Sequence, residues 1–364
     1  MDITLCGVSA FRFYRVPPQI LGLYPPLPYA FEDSNHLKLK KSSIVADLIG
    51  APVHRLSFEI GNHWQAKLYH THEVKGDLPF GSVLDTDYGF AVTSPAATLL
   101  TMARNASRLE LLMAAYEMVG EFAVFNPSAW AEDYLEQAIL QGFIRPWEGW
   151  RRVENVDGNG TSLWKRKPLL TIDELRSFCD DVPGFHGVKN LRWAVERVTG
   201  ITASPFEVQA SMLLGLPRAN GGEGLDIKNN QRIRLSPAAR RIYPHDSCYA
   251  DILIEGEGEA AGVIVECQGR SVHASEAAGI SDSNRTTALM SMGYEVVLLT
   301  IDQLKDLKSF ESVLDIIANK ANIPRHEKTA RQLAAQADLR QNIFIDWSGL
   351  GSICSSPRKA KRTR

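Results

Sequence analysis

Three side chains that could do chemistry stand close together in the second half of the chain: Asp251 in "YADILIE", and Glu266 and Gln268 in "VIVECQG". All three present oxygen, and none of them is a thiolate or an imidazole. Two carboxylates held about 4–5 Å apart repel by roughly 3–4 kcal/mol at an effective dielectric near 20. Such a pair either shares a proton, holds a cation, or reaches water where the repulsion is screened. Hard oxygen donors favour Mg2+ or Mn2+ over zinc.

The elements that must position these groups are legible. "YADILIE" alternates with period two, "GEGEAAG" has turn chemistry, and "VIVECQG" reads as the returning strand. A hairpin folded symmetrically about residues 258 and 259 pairs Leu253 with Ile264 and therefore sets Asp251 opposite Glu266. On the returning strand Glu266 and Gln268 share one face while Cys267 points to the other. Upstream, "SPFEVQASMLLGLP" predicts a helix with Ser204 as N-cap and Pro205 at the first helical position. Glu207, three residues after Ser204, then has two open roles, as the acid of a capping box or as a third carboxylate of the site. Downstream, Asp282 or Ser283 is expected to cap a helix that ends at Gly293, followed by the strand "YEVVLLT". Arg285 lies on the apolar stripe of that helix, free to pair with Asp282, to reach the acidic site or to meet a phosphate.

The chain has 364 residues, 45% hydrophobic and 23% charged, with a net charge of -2. That length predicts at least two domains of a soluble globular protein. Its five cysteines include no CxxC pair, which argues against a disulfide framework and a structural zinc. No apolar run is long enough for a membrane span and no signal peptide is evident, so a cytoplasmic protein is expected. The last eight residues, "PRKAKRTR", carry five positive charges and no negative one. They read either as a solvated basic tail or as an arm for nucleic acid.

In the first half, residues 11–31 hold five prolines and six aromatics, which predicts an extended, partly polyproline segment. Short strands are expected in "PVHRLSFEI", "WQAKLYHTHE" and "GFAVTS", and two helices after the Ser94-Pro95 start. His54, His63, His70 and His72 sit in those strands without an acidic cluster and read as structural. Residues 146–168, with "ENVDGNG" and "KRKP", are expected to form a linker between an α+β domain at 1–145 and a second domain at 169–330.

From Ser204 to about Thr300 the chain resembles the Vsr-like branch of the PD-(D/E)XK nuclease superfamily. The resemblance is carried by the "SPFE" helix start, the aspartate of "ADILI", "VIVECQG", His273, and "DSNRTTAL" followed by "GYEVVLLT". It implies an α/β (α+β) fold with an α-β-β-β-α-β mixed sheet flanked by helices. It further implies that Asp251 and Glu266 bind Mg2+ or Mn2+, that Glu207 completes the acidic group, and that DNA phosphodiesters are hydrolysed. Gln268 stands where the superfamily pattern has lysine and the Vsr-like branch commonly has aspartate. Glutamine orients water but is neither a strong base nor a cation, so a DNA-binding protein that keeps the fold without catalysis is the alternative. His273 is a candidate acid or base, and Arg285, Arg270, Lys359 and Arg362 are candidate DNA contacts. Residues 40–125, above all "FAVTSPAATLLTMARNASRLELLMAAYEMVG", are similar to AbiEi-type antitoxins. That similarity implies a regulator, with a protein partner from a phage-defence or toxin-antitoxin system.

Overall fold

The computed structural model describes residues 3–25, 43–58, 69–155, 157–255, 262–269 and 276–350. The second part of the proline-rich segment, His63, the turn at 256–261, Arg270, His273 and the basic stretch with Lys359 and Arg362 lie outside the described residues. The chain is of the α/β class, with helices and mixed sheets. It divides into two units, Met1–Arg152 with Ser162–Val198 and Asp346–Arg364, and Val153–Thr161 with Thr199–Ile345. Among the described residues no helix is long and apolar enough to cross a membrane.

The first unit holds a five-stranded sheet in the order β3-β2-β1-β5-β4. Its strands are β1 (Thr4–Leu5), β2 (Val53–Ser57), β3 (Tyr69–Glu73), β4 (Val83–Asp85) and β5 (Ala91–Thr93). The Ser94 hydroxyl accepts from the Ala97 amide to start the Pro95–Met102 helix, as the sequence predicts. Ser107 and Glu110 form a full capping box on the Arg108–Val119 helix. In β2 and β3 the buried rings of His54 and His72 stack at 4.9 Å, with Nδ1 of one 2.8 Å from Nε2 of the other. Burial, reinforced by neighbouring positive charge, lowers His54 to about 3 and His72 to about 4. Both rings are therefore neutral, and each spends a nitrogen on the other.

Two expectations for this half change. Residues 11–21 are not extended: Phe11 and Phe13 end the Gly7–Phe13 helix, and a short helix runs Pro18–Leu21. Pro18 occupies a first-turn position, where a missing N–H costs nothing, so the prolines punctuate helices rather than forbid them. Residues 146–168 form no linker either. They carry β7 (Arg151–Glu154) and β8 (Gly160–Lys165), in a sheet of order β6-β8-β7 with β6 (Phe122–Val124). "ENVDGNG" is the tip of a hairpin, in which the Asn155 side-chain oxygen accepts from the Asp157 and Asn159 amides. Trp150 and Trp164 belong to the core. The Ile172–Asp181 and Val188–Val195 helices also group with the first unit, because Val188–Val195 packs on Arg108–Val119. The boundary consequently falls between Val198 and Thr199, and the second unit runs past 330 through the Ala330–Ile343 helix.

The second unit is built in the order helix Pro205–Gly215, β9 (Ile227–Arg234), β10 (Ser247–Ile254), β11 (Val263–Gln268), helix Glu276–Met290, β12 (Glu295–Thr300). A four-residue helix, Ala239–Ile242, interrupts the run between β9 and β10. The sheet order is β12-β11-β10-β9, antiparallel except for the β11-β12 pair. Val263, Ile264 and Val265 are fully buried, as a strand covered on both faces requires.

Candidate functional site

Hairpin register decides whether the two carboxylates meet. β10 pairs with β11 as Ile252↔Val265, Leu253↔Ile264 and Ile254↔Val263, the symmetric register that the sequence predicts. At the next step the chain substitutes a side chain for the ladder: Oδ2 of Asp251 accepts the Cys267 amide at 2.8 Å. Asp251 is thereby tied to the backbone beside Glu266, and the two acids open into a groove of about 640 Å3. Gln268, the exposed last residue of β11, lines the same groove.

Glu266 is 7% exposed, and its two oxygens fare differently. Oε2 accepts Nη2 of Arg285 at 3.0 Å, whereas Oε1 is buried with no hydrogen-bond partner among the described residues. Burial raises its pKa to about 7, the charge of Asp251 adds to the rise, and Arg285 opposes it. The free acid of a model peptide sits at 4.5. Between these values the folded protein keeps a proton that the unfolded chain has lost, so stability falls as pH rises from about 4.5 to about 7. Urea midpoints measured from pH 5 to pH 8 are expected to show that decline in the parent and a much flatter profile in Glu266→Gln.

Arg285 projects from the Glu276–Met290 helix and donates also to the Tyr249 carbonyl at 3.1 Å. Of the roles open to it in the sequence, the structure shows the one at the acidic site. The helix begins at Glu276, so Asp282 and Ser283 lie within it and line the groove instead of capping. Thr286 and Thr287, which the sequence reading passed over, line it too. Their signal was present: Asp282, Arg285 and Thr286 are three and four apart, one helical face, once the helix is started earlier.

Glu207 is engaged elsewhere. Its carboxylate accepts the Ala203 amide at 2.6 Å and the Ser204 hydroxyl at 2.9 Å, while Ser204 accepts the Glu207 amide at 3.2 Å. This is the capping role, and the acid is not among the groove-lining residues. Its charge is felt by the Cys267 thiol, which burial first, then Asp251, Glu207 and Glu266 keep protonated. Ser204→Ala is expected to cost about 1 kcal/mol, measured by urea denaturation, through loss of the cap.

The described residues contain no cluster of three or more histidine, cysteine, aspartate or glutamate side chains arranged to hold a metal. Asp251, Glu266 and Asp282 are the carboxylates that line the groove, with Gln268 beside them. The buried Oε1 of Glu266 is the feature that fits a cation, because an uncompensated carboxylate oxygen out of water is costly. Comparisons of the chain with protein families, with curated proteins and with solved structures found no match.

Proposed function

We propose that the second unit is a DNA endonuclease-like domain that uses Mg2+ or Mn2+ and acts on phosphodiesters. The observation that carries this reading is Glu266, buried beside Asp251 in an open groove with one carboxylate oxygen that has no hydrogen-bond partner among the described residues. The order of elements, helix, three strands, helix, strand, supports it. Asp251 and Glu266 would hold the ion, which when bound supplies an activated water and offsets charge on a phosphate. Gln268 orients water through its amide at the mouth of the groove. Arg285 exchanges its hold on Glu266 for a phosphate oxygen, a contact suited to its guanidinium fork. Glu207 keeps Ser204 and the helix start in place behind Cys267. His273 serves as acid or base, and Arg270, Lys359 and Arg362 contact DNA.

A second reading is favoured by the Arg285–Glu266 ion pair, which already neutralises one acid. In that reading the domain keeps the fold as a DNA-binding scaffold, and the protein is a regulator or antitoxin of a phage-defence or toxin-antitoxin system in the cytoplasm. Both readings are tested with the purified protein and an Asp251→Ala/Glu266→Ala variant incubated with plasmid in magnesium or manganese. Nicking by the parent alone supports the enzyme. Equal inertness with salt-sensitive DNA binding leaves the regulator.

A further inference from the structure

Asp251 sits where the sheet of the second unit is irregular. β9 pairs with β10 at Ala250↔Gln231 and again at Ile252↔Asn229, and the register passes over the step between, Asp251 and Asn230. Asn230 lies in the left-handed region at φ 48°, a conformation that asparagine tolerates and most side chains avoid. Irregular steps of this kind re-aim the side chains around them. At this one, the Asp251 carbonyl meets the side chain of Asn229.

Asn229 is buried, and both polar atoms of its amide are engaged. Nδ2 donates to the Ser211 hydroxyl at 2.7 Å and to the Asp251 carbonyl at 3.2 Å, while Oδ1 accepts the Thr199 hydroxyl at 2.5 Å. Ser211 in turn donates to the Glu207 carbonyl at 2.6 Å. The backbone of Asn229 is fixed too. Its N–H donates to the Thr199 carbonyl at 3.1 Å, and Gly200 approaches so closely that a Cβ there would meet the Asn229 carbonyl oxygen at 2.6 Å. One amide of fixed geometry thus joins the Pro205–Gly215 helix, the segment at 199–200 and the main chain of Asp251.

The other end of Asp251 is held from the opposite strand, since its carboxylate accepts the Cys267 amide at 2.8 Å. Asp251 is therefore gripped at two points, by its main chain from β9 and by its side chain from β11. The two grips together set where the carboxylate points in the groove it lines. A network that only tied helix, segment and strand would be complete with the Ser211 and Thr199 bonds. The third bond adds aim.

We infer that Asn229, with the left-handed step at Asn230, is a positioning residue that holds the Asp251 carboxylate in its direction within the groove. The work of that carboxylate rests on the nuclease-like reading above, whereas its direction is measurable without it. The Cys267 amide reports the direction, because the Asp251 carboxylate protects it. Residue-resolved hydrogen exchange of the full chain compares the parent with Asp251→Ala, Asn229→Leu and Thr199→Val/Ser211→Ala. Asn229→Leu removes all three bonds of the amide, and the double variant removes only the two that do not reach Asp251. Cys267 exchange is expected to quicken about tenfold or more in Asp251→Ala and Asn229→Leu, and to stay within about twofold of the parent in the double variant, with Val265 protected alike in all. In plasmid nicking, kcat is expected to fall about tenfold or more in Asn229→Leu with KM within about twofold, a split that lost stability alone does not produce. Parental protection of Cys267 in Asn229→Leu, or equal loss in the double variant, overturns the positioning role. Loss confined to Asn229→Leu in a protein that nicks no plasmid keeps that role and removes the nuclease reading. Should Asn229→Leu not fold, Asn230→Val and Asn230→Gly decide. Faster Cys267 exchange with valine, which resists a left-handed φ, and parental exchange with glycine, which takes it freely, supports the role, and equal exchange in both overturns it.

Discussion

Glu266→Gln is expected to lower metal-dependent plasmid nicking by about three orders of magnitude, with folding intact. The size follows from the proposed role: an amide keeps the shape but removes the charge that holds a divalent ion, and loss of one preorganised charge in a water-poor site costs about 10^2–10^3 in rate. The same substitution removes the penalty of an ionised acid in a buried place, since Glu266 titrates near 7 rather than 4.5. At pH 8 the variant is therefore at least as resistant to urea as the parent. That opposition of effects separates a chemical role from a structural one. Nicking by Glu266→Gln at more than about a tenth of the parental rate would sink the metal reading. A parent and variant that are both inert, yet bind DNA alike, would favour the regulator. Gln268→Lys, which puts a cation at the mouth of the groove, is then the informative gain-of-function variant.

The acidic pair was legible in the sequence because a hairpin has only one degree of freedom once its turn is set. Leu253 opposite Ile264 follows from symmetry, and Asp251 beside Glu266 follows from that. The partners of the pair were harder to read. Arg285 meets Glu266 across 19 residues, through a helix start that lies six residues before Asp282, and no local pattern reports such a contact. The Cys267 amide that anchors Asp251 is a backbone group, invisible to side-chain reasoning. Glu207 shows the opposite case: the motif that made it a cap was local, and the local role is the one the structure displays. Domain limits failed for a related reason. Asparagine and glycine at 155–160 specify a tight turn, and a hairpin tip and a linker use the same turn chemistry. What distinguishes them is whether the flanking tryptophans find a core, as Trp150 and Trp164 do.

The largest stability loss is expected at a residue that no motif marks. Glu117 is 1% exposed, and its carboxylate accepts four hydrogen bonds. Oε1 takes Nε of Arg15 at 2.7 Å and the Val124 amide at 3.1 Å, and Oε2 takes Nη2 of Arg15 at 2.6 Å and the Trp347 indole at 2.6 Å. Arg166 is buried close by, donating to the Glu117 carbonyl at 2.6 Å, and burial lowers its pKa to about 10 against the pull of Glu117. Glu117→Ala leaves two guanidinium groups out of water with no counter-ion between them. Breaking one partner of a buried pair costs about 3–5 kcal/mol, or a fall of about 10–15 °C in Tm for a unit of this size. Glu117→Leu/Arg15→Leu is expected to melt above Glu117→Leu alone, because removing both charges leaves less uncompensated. The decisive readout is Trp347, whose indole loses its acceptor: the emission of Glu117→Ala shifts to the red before global unfolding, as the segment at 346–350 lets go.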